Sequence, residues 1–115
     1  MEDWVQAYPE MNCIVAMSDE MALAASNVLQ AANIGTDKCI VVGIDGSPAA
    51  QEALRAGTLN ATVYTSKRAD AALTFDYAVR VAKGEDLRGQ TVDPGNEISA
   101  LMTAENVDEI LNTLG

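Results

Sequence analysis

Histidine is absent from the sequence, and only two cysteines occur, Cys13 and Cys39. A His-based catalytic triad and a zinc cluster built on His and Cys are therefore excluded. The chain has no G-x-S-x-G elbow and no Gly-rich phosphate loop leading into a Lys, so ordinary hydrolase chemistry has no foothold. Basic residues are scarce: 7 Lys and Arg stand against 17 Asp and Glu, giving a net charge of −10. Phosphate backbones are held by clustered Lys and Arg, so this balance speaks against nucleic acid and against an anionic membrane surface. Most of the acidic residues serve solubility. No apolar run approaches the roughly 20 residues of a membrane span. The first ten residues, with Glu2, Asp3 and Pro9 and no basic stretch, do not read as a signal peptide. Aromatics make up only 4% of the 115 residues, a length that fits one domain.

What is present is organised around residues 39–48, C-I-V-V-G-I-D-G-S-P. An Ile/Val-rich run bounded by turn residues predicts a strand buried on both faces. It stops at Asp45, and Gly46, Ser47 and Pro48 then supply a sharp turn, a helix cap and a first helical residue. Ligands of open α/β sheets bind outside the carboxyl ends of the strands, so a lone acid at that point is better explained by a ligand than by the fold.

Residues 1–8 predict the end of a helix with Trp4, Val5 and Tyr8 on one face, stopped by Pro9. A first strand is expected over 13–17. A helix capped by Ser18 follows to about Ala32, with Asp19 and Glu20 at the positive end of its dipole. After the strand over 40–44, a helix is expected over 48–56 with Gly57 as its cap, then a strand over 60–65. A long helix over 67–82 follows, with Ala71, Ala72, Phe75, Ala78, Val79 and Ala82 on its apolar face. Residues 85–96 read as a surface loop, 97–102 as a short extended segment, and Thr103 as the cap of a last helix through about Thr113. Strands alternating with helices imply α/β architecture: a three-layer sandwich on a parallel sheet with right-handed crossovers. Three good strands are fewer than such a sheet normally has, so part of the fold is expected to lie elsewhere. Cys13 and Cys39 begin neighbouring strands at similar height, which leaves a disulfide and two buried inert thiols both open.

Four segments carry a family resemblance: A-M-S-D-E-M-A-L-A-A at 16–25, V-V-G-I-D-G at 41–46, G-T-L-N-A-T-V at 57–63 and L-M-T-A-E-N-V-D at 101–108. In this order and spacing they resemble the ribose-binding-like, type 1 periplasmic solute-binding proteins of ABC transporters. The resemblance implies a flavodoxin-like lobe with strand order 2-1-3-4-5. Residues 1–115 would be the C-terminal part of the second lobe, with three core strands and a crossing segment over 97–102. The first lobe and the first strand–helix of the second would be absent. It further implies a periplasmic or extracytoplasmic binding protein, not an enzyme, with no cofactor and no metal. A sugar or polyol would be its ligand and a membrane permease its partner, without insertion into the membrane. Taken alone, the fragment is expected to bind sugar weakly and to self-associate as a dimer through its uncovered apolar surface.

Residue by residue, Asp45 aligns with a family carboxylate that accepts hydrogen bonds from sugar hydroxyls. Ser18 aligns where ribose binders commonly have Asn, and Thr65 where they commonly have Gln; both shorten a polar side chain. Asp19 and Tyr64 are further candidates. Each has a structural counterpart reading: Ser18 as a cap, Asp19 at its helix dipole, Thr65 bonded to backbone and Tyr64 in the core. Two rivals share the fold. One is the effector-binding part of a sugar-responsive repressor. The other is a phospho-acceptor receiver, sketched by Asp45, Thr65 and Lys67 with Asp19 and Glu20 as its acidic pair.

Overall fold

The computed structural model describes residues 1–90 and 98–115. Its elements run α1 (Glu2–Ala7), β1 (Cys13–Val15), α2 (Asp19–Ala31), β2 (Ile40–Asp45), α3 (Pro48–Ala56), β3 (Ala61–Thr65), α4 (Lys67–Ala82), β4 (Ser99–Met102) and α5 (Val107–Leu114). The strands form one sheet in the order β1-β2-β3-β4. The first three are parallel, and β4 joins β3 antiparallel with Thr62 opposite Met102 and Thr65 opposite Ser99. The expected α/β architecture is therefore present, and the segment expected to be extended adds an antiparallel strand at one edge of the sheet. The loop expected over 85–96 falls outside the described residues from position 91 on, as does Glu97.

Local chemistry explains most boundaries. Ser18, Ser47 and Ser66 each accept a backbone N–H three residues ahead, capping α2, α3 and α4. Pro48 opens α3 where its missing N–H costs nothing, and Gly57 closes it at φ 71°. The last helix departs from expectation. It starts at Val107 rather than after Thr103, because the Asn106 side chain is spent on the preceding turn. Asn106 Oδ1 accepts from Thr103 N at 2.7 Å, and Nδ2 donates to the Leu101 carbonyl at 3.0 Å, an alternative to helical pairing.

The core lies on one side of the sheet. Val41, Leu54, Met102, Val107 and Ile110 are buried there among α2, α3 and α5. An Arg55–Asp108 pair at 2.7 Å ties α3 to α5 at the rim. The expectation of strands buried on both faces fails. Along β2, Val41 and Gly43 are buried but Ile40 is exposed, and on the same face Val15 of β1 is 72% and Leu101 of β4 57% exposed. Helix α4 buries none of its residues, and Phe75, central to its apolar face, is 71% exposed. In α1, Val5 packs on the core while Trp4 and Tyr8 point outward, so the three do not share a buried face.

The cysteines are free thiols, not a disulfide. Cys13 pairs with Ile40 in the ladder and so shares its face, the open one. Cys39, the residue just before β2, is buried with Val41 in the core. Similar height along the strands is not enough when side-chain parity puts the two sulfurs on opposite faces. Burial, with a smaller push from Cys13, holds the Cys39 thiol above its ordinary pKa.

Candidate functional site

The turn from β2 into α3 is where chemistry collects. Asp45 adopts φ +118°, a region that side chains other than glycine's rarely visit and that costs about 1–3 kcal/mol. Gly46 follows at φ +72° and sits against Tyr64, so a Cβ there would strike the Tyr64 ring and backbone. Three elements hold this turn from outside. From β3, Thr62 Oγ1 accepts the Gly46 N–H at 3.2 Å. From the start of α2, Asp19 Oδ2 accepts the Ser47 N–H at 2.6 Å. From α3, Gln51 Nε2 donates to the Gly46 carbonyl at 2.8 Å.

The Asp45 side chain remains 42% exposed, and its carboxylate lies 3.6 Å from Lys67 Nζ. It opens on a cavity of about 420 Å³ that also has Gln51, Tyr64, Thr65, Lys67 and Arg68 in its wall. A cavity of the same size between α1 and α2, lined by Glu2, Val5, Asn27, Val28 and Ala31, contains no strand-end residue. Only the first has the acceptors, hydroxyls and cations of converging strand ends.

Among the sequence candidates, the structure brings Asp45, Tyr64 and Thr65 together at this cavity. Tyr64 does two things, packing on the core and on Gly46 while also lining the cavity. Thr65 Oγ1 is 3.3 Å from Ser99 Oγ on β4, a hydroxyl pair at the rim. Ser18 is half-buried, caps α2 through a 3.4 Å bond from Met21 N, and is not in the cavity wall. Asp19 is a correction. It is 0% exposed, and both its oxygens are taken, Oδ1 by the Thr62 hydroxyl at 2.6 Å and Oδ2 by Ser47 N. It is not open to a ligand, although it does stand in the first turn of α2, at the positive end of the helix dipole as expected. Nor is it available as half of an acidic pair for Mg²⁺, which removes a requirement of the receiver reading. Sequence reasoning missed Thr62 and Gln51. The signal for Thr62 is a hydroxyl on the strand position that faces the helices, where an apolar residue would be the ordinary choice.

Residues 1–86 match the periplasmic binding protein domain family. The chain belongs to that family. Among curated relatives, this periplasmic binding protein domain is 34% identical over 90 residues to the ribose import binding protein RbsB of Escherichia coli, covering 78% of this chain and 30% of the relative. With the D-apiose import binding protein of Paraburkholderia graminis it shares 32% identity over 112 residues, 96% of this chain and 34% of the relative. The crystal structure of an ABC transporter solute binding protein from Bacillus halodurans with bound myo-inositol superimposes with a TM-score of 0.75 at 37% identity, covering 97% of this chain and 37% of that one. The binding-protein domain thus spans about a third of the length of the relatives it matches. These relatives are import binding proteins for ribose and D-apiose and an ABC transporter solute binding protein that holds myo-inositol.

Proposed function

We propose that this chain forms one wall of a cleft in which the whole protein captures a sugar or polyol for delivery to a membrane permease outside the cytoplasm. The observation that carries the reading is Asp45: a carboxylate at the carboxyl end of β2, half-exposed, opening on a cavity with hydroxyl and cationic neighbours. A carboxylate has about four lone-pair sites and can accept from two adjacent hydroxyls of one ligand. Thr65 contributes a hydroxyl, and Tyr64 lines the same cavity. The ligand specificities of the relatives, for ribose, D-apiose and myo-inositol, define the panel to test. Among the described residues no helix is long and apolar enough to cross a membrane.

Calorimetry on the full-length protein with D-ribose, D-apiose and myo-inositol tests this. We expect binding of at least one, weakened by Asp45→Ala by about 1.5–3 kcal/mol, the scale of a hydrogen bond to a charged group. Binding that survives Asp45→Ala undiminished overturns the role of that residue. Residues 1–115 alone are expected to bind the same sugar poorly, since the facing half of the contact surface would be missing. Through the open sheet face they are expected to associate as a dimer, and a monodisperse monomer by light scattering would refute that.

A further inference from the structure

We infer that Asp19 is a positioning residue for Asp45, holding the ligand-binding carboxylate in place from inside the fold; this rests on the reading of Asp45 given above. A buried carboxylate is costly unless its oxygens are satisfied, and a helix start needs no buried acid. Asp19 is fully buried, yet neither oxygen serves its own helix. Both reach to the neighbouring strand ends. Oδ2 takes the Ser47 N–H directly, and Oδ1 takes the Thr62 hydroxyl, whose oxygen in turn takes the Gly46 N–H. The two amides immediately after Asp45 are thereby fixed through one carboxylate, and the chain amide → hydroxyl → carboxylate polarises each bond in the same direction.

The space for this arrangement is built in. Gly43, paired with Thr62 in the ladder, lies beneath the carboxylate, and a Cβ there would run into Asp19 Oδ1. Three elements therefore converge on one acid: α2 supplies it, β2 makes room for it and β3 relays it. What they hold is the turn that keeps Asp45 at φ +118°, which a free chain would abandon. Asn at position 19 would keep the shape. It would, however, remove the charge, and with its amide oxygen on the Ser47 N–H its Nδ2 can only donate to the Thr62 hydroxyl, which must then turn its own proton away, so the relay from amide through hydroxyl to carboxylate is broken in direction and in charge.

The test is a double-mutant cycle in the full-length protein, titrated with myo-inositol and D-ribose. Asp19→Asn, Thr62→Val and Thr62→Ser are each made with Asp45 intact and with Asp45→Asn. We expect Asp19→Asn and Thr62→Val to weaken binding roughly tenfold or more when Asp45 is present, the scale at which members of one network couple, and by less than about twofold when it is not. Thr62→Ser, which keeps the hydroxyl, should rescue most of the affinity that Thr62→Val loses. Equal losses in both backgrounds would mean a general structural role and overturn the inference. If Asp19→Asn does not fold, Thr62→Val carries the cycle. If the parent protein binds neither probe, the reading of Asp45 is in trouble but this inference is still decided by amide exchange. Gly46 and Ser47 exchanging about tenfold faster in Thr62→Val supports it, and unchanged rates refute it.

Discussion

On one face of the sheet Val41, Gly43, Thr62 and Met102 lie under α2, α3 and α5. On the other, Val15, Ile40 and Leu101 look outward. The two sets alternate along the same strands and are of similar apolar character. The covered face has neighbours from three helices to exclude water, and the open face has none of comparable extent among the described residues. Hydrophobic stabilisation follows area removed from water, so equal residues on the two faces contribute unequally. The functional turn shares the fate of the covered face. Asp45 can be held in a strained backbone because Asp19, Thr62 and Gly43 sit where packing is tight.

The sharpest way to break this comparison is to truncate one leucine on each side. Leu54→Ala, at a fully buried position, is expected to cost about 2–5 kcal/mol in urea unfolding. Leu101→Ala should cost under about 1 kcal/mol, because it leaves no enclosed cavity. Equal costs would mean that the open face is covered in solution. Next, Gly43→Ala should destabilise by about 1–3 kcal/mol, since the added methyl meets Asp19 and Ala22 with nowhere to go.

Asp45→Gly should act in the opposite direction. Relief of the positive φ is expected to raise stability by about 1 kcal/mol while sugar binding is lost, a separation that urea unfolding and calorimetry together would display. A smaller contrast is chemical. Cys13, on the open face, should react with a thiol reagent in the native state, whereas Cys39 should react only on opening. Because the folded state holds the Cys39 proton to higher pH, its contribution to stability is present below the ordinary thiol pKa of 9.0 and declines as pH rises through the raised value.

The smallest effect belongs to the far end of α4. There the Arg80 guanidinium, hydrogen-bonded to Glu85, holds that carboxyl below its ordinary 4.5. A depressed carboxyl stabilises above its unfolded pKa and loses that contribution as pH falls through the folded one. Acid titration with and without Glu85→Gln should therefore differ only below about pH 4.5, and slightly, because the pair is exposed to solvent.

Much of this was legible residue by residue. Ser18 and Ser47 precede helices and cap them, Pro48 opens one and Gly57 closes one, because caps are made within three or four neighbours. Asp45 could be singled out because an acid ending an Ile/Val run is conspicuous. Asp19 stands in the first turn of α2 as expected, but its burial was not legible, because its partners, Ser47 and Thr62, are 28 and 43 residues away, and nothing in D-E after a serine says which way the acid turns. The start of α5 was misplaced because Asn106 prefers its own turn to the helix.

By itself, then, the sequence determined where strands and helices form, which residues alternate to which side of each strand, and that an acid stands at the end of the second strand. Tertiary structure decided which of the two sides has cover, that the cysteines point apart, and that the second acid is an internal brace. The physical reason is range. Propensity, capping and side-chain alternation are settled within a few residues, whereas burial and hydrogen-bond partners depend on distant segments arriving at the same place.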